Sequence, residues 1–423
     1  MSERMRVIRQ TLPLWLIPRL PFYYGWVILG CVCCAGMSRQ GGAVATLSVF
    51  VSPMTAEFGW SRTAISGAVS LGGVLAAVVS PRIGAYLDRR GARLVLCVVV
   101  LLTGIADTLL SLTMSLPAFY LLFCVARMNF AGPFDLGIYG AVNNWFVSRR
   151  AFATSIATLG QMAGLMTMPL VAQLAMGAGG WRAGWLAVGI TVLVVGFIPV
   201  WLLLVRQPED VGLVPDRRAP AFAAAPLAEP SFTRGEAVRT PAFWLLSLFT
   251  LLIYPVQAGI SLHQAPFLIE RGLTPGVAAT VVSFFSFMSG VATLCFGLVP
   301  RRVPIRLRLM LVGALLCLSS FLLLSVDGAA HATIASALFG LGIGGLLTML
   351  PIAWADYFGR GSYGAIRGLA LSVQVLAQAA GPLLSGVLRD ATGSYDLSLS
   401  VFAVLSAMSI AAAMYARAPR YSY

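Results

Sequence analysis

The sequence predicts an all-α membrane protein: twelve transmembrane helices in two pseudo-symmetric six-helix bundles. Three observations predict it: 59% hydrophobic against 10% charged residues with a mean hydropathy of +0.87, twelve long apolar runs, and a repeat relating the second half to the first. So little charge is wrong for a soluble chain of 423 residues, so the bilayer is its solvent. The 43 glycines and 23 prolines are scattered through apolar runs, as in packed transmembrane helices, which excludes low-complexity disorder.

Residues 1–21 carry Arg4, Arg6, Arg9 and Arg19 beside Leu12, Leu14, Trp15, Leu16 and Ile17, without a small-residue cleavage site. This predicts a cytoplasmic amphipathic segment at the membrane interface, not a cleaved signal. Crossing roughly 30 Å of hydrocarbon takes roughly 20 apolar residues. In the N-terminal bundle, 22–205, such runs fall near 22–50, 62–83, 94–115, 117–144, 151–175 and 183–205. Residues 206–240, with Pro208, Glu209, Asp210, Pro215, Asp216 and an Ala/Pro stretch, predict a cytoplasmic linker. The C-terminal bundle, 241–416, has runs near 241–268, 275–299, 307–327, 331–356, 364–388 and 396–416, and 417–423 form a cytoplasmic tail.

The net charge of +14 arises wholly from arginine, since no lysine occurs. Clustering between apolar runs is the pattern that orients membrane proteins, so a nucleic-acid partner is not expected. Only Arg62, Arg182, Arg271 and Arg389 fall in the loops opposite the termini, which places both termini in the cytoplasm, most simply of a bacterial inner membrane. The seven cysteines lie in apolar segments and predict neither disulfides nor zinc; Cys31, Cys33 and Cys34 read as helix packing. His263 and His331 have no metal-spaced companions, and the chain lacks HExxH and GxxxxGK[ST] patterns. No metal, cofactor, enzymatic activity or ATP-driven pumping is therefore expected.

Shifting the second half by 213 residues aligns Glu57 and Gly59 with Glu270 and Gly272, Gly84 with Gly297, Arg93 with Arg306, and Gln161 with Gln374. At a shift of 212, Trp145-Phe146 meets Tyr357-Phe358. Gln40-Gly41-Gly42 meets Gln257-Ala258-Gly259 at 217, implying a length difference of about four residues just after the first span. Parallel repeats of this kind place a substrate cavity between the halves near mid-membrane, with alternating access by rocking.

The loop Gly84-Ala-Tyr-Leu-Asp88-Arg89-Arg90-Gly91-Ala92-Arg93 resembles the G-x-x-x-D-R-x-G-x-R motif of the major facilitator superfamily. Tyr24-Gly25-Trp26, Glu57-Phe-Gly-Trp60-Ser61-Arg62, Trp145-Phe146 with Arg149-Arg150, and Pro208-Glu209-Asp210-Val-Gly212 are similar to the monocarboxylate transporter and oxalate/formate antiporter branch. The resemblance implies that Asp88, Arg89 and Arg93 form a cytoplasmic gate in which the acid meets a helix N-terminus, and that the first and fourth spans line the cavity. The second copy of the loop, Gly297-Leu-Val-Pro-Arg301-Arg302, has arginine where the first has Asp88. The eighth span has no charge, so the arginine that the branch often carries there for the substrate carboxylate is not carried over.

A charge inside the bilayer is costly, which makes intramembrane ionisable residues functional candidates. Arg39 lies about 23 Å into the first span and Arg127 about 15 Å into the fourth, at 1.5 Å per residue. Both are read as substrate-anion residues; a structural Asp107–Arg127 pair is the competing reading, whereas Arg39 has no evident acidic partner. Gln40, Gln161, Gln257 and Gln374 are read as cavity-lining amides at repeat-related depths, with interhelical glue as the alternative. Tyr139, Asn143, Asn144, Tyr254, Trp354 and Gln378 are further lining candidates. Asp107, Asp135 and His263 are the proton-coupling candidates, although Asp135 could simply be hydrated and His263 a partly exposed hydrogen-bonding residue. Asp356 is read as a gate residue at a helix end, and Gly381-Pro382 as a weak point for bending.

These residues predict a secondary active transporter of small organic anions, monocarboxylates first, by proton symport or anion exchange, for which a monomer suffices. Efflux or uptake of an amphipathic drug or siderophore, and a membrane sensor that binds without transporting, remain open alternatives.

Overall fold

The computed structural model of the protein describes residues 11–216, 231–300 and 302–419. Arg4, Arg6, Arg9, Arg301 and part of the linker lie outside these described residues. The helices in chain order are α1 Thr11–Leu16, α2 Gly25–Ser38, α3 Val44–Phe58, α4 Arg62–Arg90, α5 Ala92–Leu110, α6 Leu116–Ala131, α7 Pro133–Trp145, α8 Arg150–Thr191 and α9 Ile198–Leu203. After the linker come α10 Arg234–Ala237, α11 Pro241–Glu270, α12 Pro275–Leu298, α13 Ile305–Leu324, α14 Ala329–Phe358, α15 Tyr363–Thr392 and α16 Asp396–Tyr415. Eleven helical stretches among the described residues are long and apolar enough to cross a membrane. The stretch Arg150–Leu203 accounts for two predicted spans: it turns at Gly179 and Gly180, the latter at φ 70°, where a side chain would be strained. It also contains a π-helical segment, Val192–Phe197.

The described chain divides into two compact units. The first comprises residues 11–216 together with Arg360–Ser372, so the opening turns of α15 belong to it. The second comprises the described residues of 231–359 and those from Val373 onward.

Both units use the same local devices at the end of their first span, which is the repeat made visible. In the first, Gly59 (φ 68°) ends α3 in the left-handed region and the Ser61 hydroxyl accepts the Ala64 N–H at 3.0 Å to start α4. In the second, Gly272 (φ 88°) follows α11 and the Thr274 hydroxyl accepts the Val277 N–H at 3.4 Å. Glu57 pairs with Arg182 at 2.7 Å in the first unit, and Glu270 with Arg389 at 2.9 Å in the second. The offset changes between Gly42 and Glu57, a stretch that α3 occupies, so the four-residue difference falls within the helix that completes the first span. The four-residue 3-10 turn Arg39–Gly42 separates α2 from α3, whereas α11 runs unbroken.

In the first unit Trp185 is fully buried and stacks on Phe50 at 4.0 Å, and Trp145, also fully buried, donates its indole N–H to the Val205 carbonyl at 3.2 Å. The surface is strongly apolar: Leu112, Met114, Leu121 and Leu174 are each at least 70% exposed, which only a lipid environment makes favourable. The start of the linker is tied down by Asp216, whose carboxylate accepts the Ser148 and Arg149 backbone N–H groups, each at 2.9 Å, just before α8. Beside it Tyr23 donates to the Trp145 carbonyl at 3.0 Å, and burial, reinforced by the Asp216 charge, pushes its phenol up and keeps it a donor.

Candidate functional site

Two interruptions in the first unit build the site. Gln40-Gly41-Gly42 lets the first span tighten into a 3-10 turn, and Gly42 packs so closely on the Ala126 carbonyl and the Arg127 N–H that a Cβ there would collide. The fourth span breaks at Gly132 (φ −136°, ψ −71°), where Pro133 supplies no N–H to continue the ladder. Arg39 reaches across from the first break to the second. Its Nε–H donates to the Phe130 carbonyl at 2.9 Å, and its terminal nitrogen donates to the Gln161 side-chain oxygen. Gln161 in turn donates to the Tyr139 hydroxyl at 3.1 Å, which lies 3.1 Å from the Thr158 hydroxyl.

Arg127 and Phe130 are three residues apart on one face of α6. The Arg127 guanidinium carbon lies 4.6 Å from the Phe130 ring centroid, and that of Arg39 also lies 4.6 Å from it. One aromatic ring thus carries two cations. The competing Asp107–Arg127 pair is not formed: the buried Arg127 Nε has no hydrogen-bond partner. Asp107 is fully buried with neither carboxylate oxygen hydrogen-bonded, and it abuts Gly41 in the 3-10 turn. Shared depth along two helices did not bring the side chains to the same face.

Asp135 corrects two expectations. It is buried, at 6% exposure, rather than open at the helix end, and it supplies the acidic partner that Arg39 was not expected to have. One oxygen lies 3.8 Å from an Arg39 nitrogen and the other 3.3 Å from Arg367 in α15. Arg367, 1% exposed, is a residue that the sequence reading does not single out. Its position inside the predicted span 364–388 was the available signal. Phe130 was missed as well, although an aromatic three residues after an intramembrane arginine marks a cation–π position.

The remaining first-unit candidates divide. Asp88 accepts the Gly364 and Ala365 backbone N–H groups at 2.7 Å each, capping the N-terminus of α15, and Gly84 and Gly364 meet backbone to backbone. Arg93 donates to the Trp201 carbonyl at 2.7 Å, while Arg89 is exposed to solvent. Gln40 and Asn143 are buried, with Gln40 Oε1 and Asn143 Nδ2 unpartnered, and the Asn144 carbonyl accepts from Arg360 at 3.2 Å. Asp88→Asn removes the charge at the helix N-terminus and one of the two acceptor oxygens, and is expected to cost about 1 kcal/mol. Faster hydrogen exchange at residues 363–366 would register the loss, and unchanged protection there would show that the cap contributes nothing.

In the second unit, Gln378 donates to Gln257 at 3.2 Å, joining two candidates. Tyr254 and Gln374 are buried, and Asp356 is exposed at the end of α14. Trp354 corrects the lining expectation: it is fully buried against Phe243 and Phe358 and serves as core. His263 is half-buried, with Nε2 3.1 Å from the Pro382 carbonyl and Nδ1 3.2 Å from the Tyr395 hydroxyl. Because a carbonyl only accepts, Nε2 carries the proton, and in a neutral ring Nδ1 accepts from Tyr395.

Broken spans that bring two arginines to one aromatic ring inside an apolar bundle suit a carrier of polar solutes, since irregular backbone at membrane depth is tolerated where it serves a cavity. The class this defines is an integral membrane transporter. The chain belongs to the Major Facilitator Superfamily, which it matches over residues 28–382. It is 25% identical to the oxalate:formate antiporter of Oxalobacter formigenes over 335 residues, covering 76% of this chain and 75% of that one. It is 27% identical to human monocarboxylate transporter 11 over 388 residues, 89% of this chain and 79% of that one. Among solved structures, the human organic anion transporter MFSD10 (TETRAN) shares the fold, with a TM-score of 0.71 at 15% identity over 92% of this chain and 99% of that one.

Proposed function

We propose that the protein is a secondary active transporter of small organic anions, monocarboxylates first, working by alternating access with proton symport or anion exchange. The observation that carries the reading is the placement of Arg39 and Arg127 on the single ring of Phe130, with Asp135 pairing only the first of them. Two desolvated cations with so little internal counter-charge favour an anion between them. Gln161, Tyr139 and Gln40 would orient it by hydrogen bonds, with Asn143 as a further donor. Gln257, Gln378, Gln374 and Tyr254 are the corresponding candidates within the second repeat. The two carboxylate-carrying relatives, by their names, support this substrate class.

Asp107 is the first proton-coupling candidate, because ionised it would stand in the span interior without a counter-charge, and taking up a proton removes that cost. Asp135 and His263 are less suited: one is held by two arginines and the other by a carbonyl and a hydroxyl. Asp88, Arg89, Arg93 and Asp356 form the proposed cytoplasmic gate. A monomer in a bacterial inner membrane, with both termini cytoplasmic, completes the reading.

Uptake of labelled formate, lactate and oxalate into proteoliposomes, with and without an inside-alkaline gradient, tests it. Saturable uptake of at least one is expected. Accumulation only with the gradient identifies symport, and uptake only with internal anion identifies exchange. Folded protein that moves none of them under either condition would overturn the anion reading in favour of a drug, a siderophore or a sensor.

A further inference from the structure

The Asp135 carboxylate is divided between two cations: one oxygen is 3.8 Å from Arg39, which belongs to the proposed anion site, and the other 3.3 Å from Arg367, which does not. Arg367 sits in the opening turns of α15, a segment held at three other places in the first unit. Asp88 caps its N-terminus, the Ser372 hydroxyl donates to the Ala77 carbonyl at 2.5 Å, and Gly368 packs on the Ser80–Pro81 backbone. Arg39, by contrast, keeps neutral partners in Gln161 and the Phe130 carbonyl if Asp135 turns away.

Resting on the anion-transport reading above, we infer that Arg367 is a positioning residue that sets the anion affinity of the Arg39 site by holding Asp135. Asp135 is an internal competitor for the substrate, since both are anions seeking the same guanidinium in a weakly screened interior. With the opening turns of α15 seated, Arg367 satisfies Asp135, and Arg39 is available to the substrate. When those turns withdraw, Asp135 is left buried with Arg39 as its remaining cation in this cluster, closes on it, and the substrate is displaced. Linkage requires the reverse as well: a bound anion, by relieving Arg39 of Asp135, favours the seated segment. Affinity is thereby tied to the position of one helix end, and the same movement that frees α15 from Asp88 expels the solute.

Calorimetric titration of wild-type protein and variants in nanodiscs with formate, lactate and oxalate tests this. Against whichever anion binds wild type, Arg367→Gln should weaken binding about tenfold, Asp135→Asn should tighten it, and Arg367→Lys should stay within about threefold of wild type. The discriminating comparison is Arg367→Gln in the Asp135→Asn background, where no competitor remains and no further change is expected. That double variant also leaves neither position with an unpaired charge, so it reports even if a single variant folds poorly. Equal weakening by Arg367→Gln with and without Asp135 would overturn the inference by making Arg367 merely structural. Absence of binding of all three anions to folded wild type would instead overturn the anion reading on which it rests.

Discussion

Arg39→Gln is expected to lower carboxylate uptake about 100-fold while leaving the protein folded. The loss follows from removing the one guanidinium that touches Phe130, Gln161 and Asp135 together. Truncating one partner of a desolvated charged contact costs roughly 2–5 kcal/mol, and 1.4 kcal/mol is about tenfold. Folding survives for a specific reason. Asp135 retains Arg367, and glutamine at position 39 can still donate to Gln161, so no buried charge is stranded. Uptake in proteoliposomes, beside size-exclusion and thermal-melting profiles matched to wild type, checks both halves. Uptake within about threefold of wild type would remove Arg39 from the site.

Asp107→Asn is expected to abolish accumulation driven by an inside-alkaline gradient while sparing anion exchange. The amide is close in size and shape, and the carboxylate it replaces makes no hydrogen bond, so little packing is lost. What disappears is the ability to gain and lose a proton beside the 3-10 turn that carries Arg39. Gradient-driven uptake and counterflow measured on the same vesicles separate the two. Undiminished accumulation in the variant would transfer the coupling role to another group.

The fold was legible because membrane insertion imposes few rules and each leaves a long trace. Apolar runs set the spans, and Gly59, Ser61, Gly272 and Thr274 punctuate both repeats with the same chemistry. Asp88 was legible for a related reason: a carboxylate in a short loop that meets a helix N-terminus is a local device with a known motif.

The site was legible only in its members. Arg39, Arg127 and Gln161 stood out because polarity in hydrocarbon is conspicuous, but their partners depend on rotation about each helix axis and on where the helices break. Depth gave Asp107 and Arg127 the same height and so offered a competing pairing that the side chains do not make. The turn at Arg39–Gly42 and the break at Gly132, each visible as glycine without its consequence, swing Arg39 onto Phe130 and Asp135. Arg367 escaped because an arginine three residues inside a span looks like any arginine at its edge. Only packing shows it to be buried.

The most direct test of the anion site is a structure determined with the transported carboxylate bound at saturating concentration. The account predicts the carboxylate between the Arg39 and Arg127 guanidinium groups beside Phe130, with Arg39 drawn off Asp135 and Asp135 resting on Arg367. A carboxylate bound elsewhere, with Arg39 still engaged by Asp135 and Gln161, would contradict it.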